Sequence, residues 1–143
     1  MCAFYLGDIM NKFMEIAFKE AKKSTKHGDV PVGAVIVENE KIIAKAHNTK
    51  EKTKLVTRHA EINAVEKACK KKQSWYLNEC IMYVTLEPCK MCIGAIEHAR
   101  IKKIIYAAPR KKKESLKTPI MIQGEGIENS GKLLKSFFKK RRK

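Results

Sequence analysis

Two short motifs, far apart in the chain, make chemical sense only if the fold brings them together. The first is His59-Ala60-Glu61; the second is Pro88-Cys89-Lys90-Met91-Cys92. One offers an imidazole and a carboxylate two positions apart, the other two thiols three positions apart behind a proline. Three residues is close to one helical turn, so one helix face can present Cys89 and Cys92. At a helix start, the dipole and free amide groups favour thiolate over thiol. Two thiolates and one imidazole balance Zn²⁺ and leave its fourth position to water, which is how catalytic zinc differs from structural zinc. His59, Cys89 and Cys92 are therefore the expected metal ligands. Glu61 is expected to stay off the metal and carry protons, as general acid–base catalysis on activated water requires. A closed structural site would need a fourth protein ligand. His98 lies about half a turn round the helix from Cys89 and faces away. Cys80 is expected at the far end of a strand from Pro88, and His47 stays open as a candidate.

The elements between and around the motifs read as alternating helices and strands. Phe13, Ile16, Ala17 and Ala21 recur at helical spacing, predicting a helix over 11–23 with Asp8 as its N-cap. Residues 32–37 form a nearly all-apolar run, the mark of a strand buried on both faces. A polar turn and a returning strand over 41–47 make a hairpin, and 48–57 reads as a loop. A helix starts at His59 and ends in Lys70-Lys71-Lys72, where cations suit the dipole. Residues 80–86 are a third strand, and Pro88 opens a helix that ends near Ala99. A fourth strand over 101–107 would then be parallel to the third, since a helix joins them. A short strand over 119–122 and a helix from about Ser130 complete the order. The expected fold is α/β: a three-layer α-β-α sandwich with a central mixed sheet.

The chain has 143 residues, which suits a single domain over 1–143 with a real core. No run is long enough to span a membrane, and no signal-peptide pattern opens the chain. Five cysteines, an odd number, fit a reducing compartment better than a disulfide framework, so a cytoplasmic location is expected. Cys2, Cys69 and Cys80 read as a terminal thiol and two packing residues. Lysine and arginine total 31 against 15 acids, a net charge of +16, which favours a polyanion partner, nucleic acid first.

A histidine-x-glutamate followed by proline-cysteine-x-x-cysteine is the signature of zinc-dependent nucleobase deaminases. Within that group the chain resembles the bacterial tRNA-specific adenosine deaminase family. The resembling stretches are residues 30–37, His47-Asn48, residues 59–62, residues 83–92, Gly126-Ile127 and residues 136–142. The resemblance implies the cytidine-deaminase-like fold, a homodimer, one Zn²⁺ per chain, and adenosine-to-inosine conversion at the wobble position of a tRNA anticodon. It implies zinc binding by His59, Cys89 and Cys92, proton transfer by Glu61, and a hydrogen bond from Asn48 to the target base. An anticodon stem-loop suits such chemistry because its bases can be splayed out at small unstacking cost. Two stretches depart from the family. Val56-Thr57-Arg58 precedes His59 where aspartate-proline-threonine-alanine is usual, and Arg110 to Lys113 replaces an aspartate-rich loop.

Two other functions fit parts of the pattern. A deaminase of free cytosine, guanine or cytidine would keep the fold and zinc but would have no use for so basic a surface. A zinc-stabilised RNA-binding module would explain the charge but not a proton carrier at position 61.

Overall fold

The computed structural model of the protein describes the backbone of residues 2–110 and 121–123, with side chains from residue 12 to residue 110. Its elements are α1 (Cys2–Ser24), β1 (Gly33–Glu38), β2 (Lys41–His47), α2 (Lys50–Thr53), α3 (Ala60–Lys72), β3 (Cys80–Leu86), α4 (Lys90–His98), β4 (Lys103–Ala108) and β5 (Met121–Gln123). The strands form one sheet in the order β2-β1-β3-β4-β5. β1 runs antiparallel to β2 and β3, while β3, β4 and β5 run parallel. The sheet is mixed because its connections differ: Asn39 and Glu40, both at positive φ, turn a tight hairpin between β1 and β2. α4 instead carries the chain back across the sheet, so β4 lies parallel to β3.

Strand alternation sorts the core into two layers. Ala34 and Ile36 of β1, Met82 and Val84 of β3, and Ile104 of β4 pack with Ala60, Ala64 and Ala68 of α3 and with Ile93 and Ile96 of α4. Their neighbours Val35, Val37, Tyr83, Ile105 and Ala107 point the other way, onto Phe13, Met14 and Ala17 of α1. A period of two along each strand therefore feeds helices on both faces of the sheet. This is the α-β-α sandwich expected from the sequence, and it explains why β1 is apolar from Gly33 to Val37.

Three local expectations are corrected. α1 begins at Cys2, so Asp8 lies within the helix and does not cap it. Neither Gly7 nor Asp8 removes a backbone donor, so neither stops a helix as proline would. The stretch 48–57 holds the short helix α2, whose cap comes from a distant residue described below. β5 covers Met121–Gln123, slightly later than the expected 119–122. The Lys111–Lys113 segment and the C-terminal helix expected from Ser130 lie outside the described residues.

α1 crosses β1 at Gly33, where a Cβ would overlap the Ala17 carbonyl oxygen and stand 2.6 Å from the Ala21 nitrogen. Ala17 and Ala21 are themselves fully buried. Backbone atoms cannot swing aside as a long side chain can. Gly33→Ala is therefore expected to lower unfolding stability by about 1–3 kcal/mol, read from urea denaturation. An unchanged midpoint would mean that α1 can lift off the sheet without loss.

Candidate active site

The two motifs meet where α3 and α4 begin. His59 is the N-cap of α3 and Cys89 the N-cap of α4, both in extended conformation, with Cys92 one turn into α4. His59 Nδ1 lies 3.6 Å from Cys89 Sγ and 3.5 Å from Cys92 Sγ. The three donor atoms all fall within 4.8 Å of one another, close enough to hold one metal ion. Cys92 is fully buried, while Cys89 and His59 are half-buried. No other group of three or more such side chains is gathered among the described residues.

The protons within this trio are shared unequally. A hydrogen bond from Cys92 and then the His59 imidazole hold the Cys89 thiol at a pKa of about 3, so it is a thiolate. That thiolate, and then burial, pushes the Cys92 thiol up. The same thiolate is the main reason that the His59 pKa is raised. Two helix N-termini aim partial positive charge at the cluster, which favours anionic sulfur. A metal bound here would displace the remaining protons, as metal binding to thiols generally does.

Glu61, in the first turn of α3, is only 4% exposed. Burial raises its pKa above the usual carboxylate range. Its carboxyl meets the Cys92 thiol yet also lines a cavity of about 200 Å³, together with His59, Asn48, Val30, Leu86 and Arg110. A buried carboxyl of raised pKa that lines a cavity is placed to take up and release protons there. The volume lies below the roughly 300–1,000 Å³ of drug-sized pockets and suits a single planar base.

Asn48 forms part of the cavity wall just after β2. Its Nδ2 donates to the Val30 carbonyl at 3.3 Å, and its Oδ1 accepts from the Lys50 N–H at 3.1 Å. An amide has two N–H donors and two lone pairs, so one of each stays available to a ligand. The backbone couples this wall to the His-Cys-Cys trio: the Thr49 N–H donates to the Arg58 carbonyl at 2.9 Å. The residue after Asn48 is thus paired with the residue before His59.

Asp29, to which the sequence points to no role, braces the cavity. It is 1% exposed. Its Oδ1 accepts from the Glu51 N–H at 2.5 Å, and its Oδ2 from the Lys52 N–H at 3.1 Å. His27 Nδ1 lies 2.6 Å from the same Oδ2. Asp29 therefore caps α2 from across the cavity and ties the 28–31 wall to the 48–52 wall. No local signal in the sequence marks this role, because the amides that it caps lie over twenty positions away. At the rim, the Arg110 N–H donates to Glu87 Oε1 at 3.2 Å, fastening the end of β4 to the end of β3.

Residues 9–142 match the profile of the MafB19-like deaminases, and the chain belongs to that deaminase family. Its similarity runs further, to a particular activity within the class. The tRNA-specific adenosine deaminase of Aquifex aeolicus (strain VF5) is 41% identical over 142 residues, covering 91% of this chain and 94% of the relative. A solved structure from a study of A-to-I editing by tRNA:A34 deaminases at the wobble position superposes with a TM-score of 0.79. It is 32% identical and covers 87% of this chain and 99% of its own. Guanine deaminase from Bacillus subtilis, also 32% identical, superposes with a TM-score of 0.67, covering 93% and 94%.

If Asp29 frames the cavity without holding the metal, Asp29→Asn should separate the two roles. An amide can offer only one acceptor oxygen where the carboxylate offers two. Stability should fall by about 1–3 kcal/mol in thermal or urea unfolding. Metal content per chain, measured by elemental analysis, should stay that of the unchanged protein. A parallel loss of metal would contradict the division.

Proposed function

We propose that the chain is a single zinc-dependent domain that deaminates adenosine to inosine at the wobble position of a tRNA anticodon. The observation that carries the chemistry is the convergence of His59, Cys89 and Cys92 beside a buried Glu61 at the floor of a base-sized cavity. Similarity along nearly the whole of a tRNA-specific adenosine deaminase supports the choice of substrate. The basic composition supports RNA over a small neutral base, since only a polyanion gains from a net charge of +16.

His59, Cys89 and Cys92 would hold the zinc. Zn–N near 2.0–2.1 Å and Zn–S near 2.3 Å at a tetrahedral angle imply a nitrogen–sulfur separation of roughly 3.6 Å. The two separations here are 3.5 and 3.6 Å. Bound zinc supplies a water of lowered pKa as nucleophile. Glu61 would move both protons of the water: the first to the adenine ring nitrogen next to C6, and the second, from the new C6 hydroxyl, to the departing amine. Water and adenosine thus become inosine and ammonia. Burial favours the protonated form of Glu61, which is the form needed to give a proton to the base. Asn48 uses its free N–H and lone pair on the base edge, and the bonds to Val30 and Lys50 hold the amide plane still. The walls braced by Asp29 keep the base from tilting.

The chain is proposed to act as a homodimer in the cytoplasm. Leu55 and Val56, beside His59, are 51% and 71% exposed, and Met91, between the two cysteines, is 38% exposed. Exposed apolar side chains this close in sequence to His59, Cys89 and Cys92 favour a covering surface. The free thiols of Cys69, Cys80, Cys89 and Cys92 suit a reducing compartment. No helix among the described residues is long and apolar enough to cross a membrane.

The test uses purified protein with an anticodon stem-loop bearing wobble adenosine, run beside free guanine, cytosine and cytidine. Inosine should form in the RNA, and the free compounds should stay intact. Glu61→Gln should slow the reaction by about 10²–10⁴-fold while zinc content and RNA affinity persist. Deamination of free guanine in preference to the RNA would favour the other reading, which the similarity to guanine deaminase makes specific.

A further inference from the structure

A second cavity, of about 250 Å³, lies between the end of β2 and the outer face of α3, apart from the catalytic pocket. Arg58, Asn63, Glu66, Lys67, Lys70 and Thr49 line it. Asn63, Glu66, Lys67 and Lys70 recur at helical spacing, so one stripe of α3 forms its floor. The lining carries three permanent cations and one acid. Glu66 is already engaged, its Oε1 accepting from Arg58 Nη1 at 2.8 Å. Lys67 Nζ donates to the Lys45 carbonyl at 3.1 Å, a contact that orients the ammonium group without neutralising it. Lys70 is exposed and makes no ion pair among the described residues. His47 at the edge is held below the usual imidazole range by burial and counts as neutral. Arg58 has donor capacity to spare, since its buried Nε has no hydrogen-bond partner. An excess of positive charge in a concave, polar cavity is a site for an anion.

Its position identifies the anion. The segment 47–50 is the wall between the two cavities: Asn48 and Lys50 line the catalytic pocket, and His47 and Thr49 line the groove. Arg58, in the groove, directly precedes the ligand His59. An RNA strand that delivers a base over this wall passes its backbone beside Arg58, Lys67 and Lys70.

We propose that this groove binds a phosphodiester of the substrate RNA strand, with Lys67 and Lys70 as phosphate contacts and Arg58, held by Glu66, in the same lining. The inference rests on the RNA-deaminase reading and adds to it a backbone site outside the catalytic pocket. Phosphate contacts set affinity and its salt dependence and leave the chemical step alone.

The experiment measures affinity for the anticodon stem-loop against salt concentration for the unchanged protein and for Lys67→Ala/Lys70→Ala. The slope of log affinity against log salt should shrink by about 1.5–2 in the double variant. Turnover at saturating RNA should stay within about twofold. Lys19→Ala/Lys22→Ala removes the same charge from the exposed face of α1, on the other side of the sheet, and should leave the slope unchanged. Equal slopes for the unchanged protein and the groove variant would overturn the proposal, and so would an equal drop in both variants. A groove built for free phosphate would bind inorganic phosphate in calorimetry, lose it in the groove variant, and leave the RNA slope unmoved; that result also overturns it. Because binding is measured without turnover, a protein that binds RNA through the groove but makes no inosine would sink the deaminase reading alone.

Discussion

The contact between His59 and the two thiols of α4 is the constraint on which the rest of the structure depends. Its three donor atoms come from two stretches at least thirty positions apart, at the N-termini of two helices that share one face of the sheet. For those helix starts to meet, α3 and α4 must lie side by side and begin at the same edge. β3 must then deliver Pro88 to that edge, and α4 must carry the chain away from it. The parallel pairing of β3 with β4 follows from that return path. The helix dipoles add to the arrangement, because both positive ends meet at the thiolate of Cys89.

Around this contact the protein divides its labour. The sheet and the buried alanines of α3 fix the three side chains that could hold a metal, a task that needs sub-ångström placement. The opposite wall is a set of loops held by polar groups: Asp29 on α2, Asn48 between Val30 and Lys50, and Thr49 on Arg58. Charged acceptors facing several backbone N–H groups can hold a loop nearly as firmly as a ladder holds a strand. The wall can therefore be polar and still be rigid. Only the thickness of residues 47–50 separates that wall from the cationic groove behind it.

Much of this was legible in the residues. β2 and β3 have the bounds that their alternation implies, and both motif helices begin at their motifs. The meeting of His59, Cys89 and Cys92 beside a buried Glu61 was readable because metal chemistry restricts both residue type and spacing. What stayed hidden depends on contacts between distant positions. α2 is four residues long and has no apolar stripe; it exists because Asp29 caps it from over twenty positions away. The role of Asp29 was hidden for the same reason. Asp8 looked like a helix start because a capping residue and a helical aspartate are the same letter, and nothing before it forbids a helix. Gly33 read as one more small residue in an apolar run, and only the crossing of α1 shows that a side chain there has no room.

A ligand set of one nitrogen and two sulfurs, with the fourth position open to solvent, is what separates a catalytic centre from a structural zinc clip. X-ray absorption at the zinc edge of the purified protein measures that set directly. Two sulfurs near 2.3 Å and two light atoms near 2.0–2.1 Å, one of them exchangeable by a small anion such as azide, are expected. Three sulfurs, or a full shell that no added anion can enter, would contradict it.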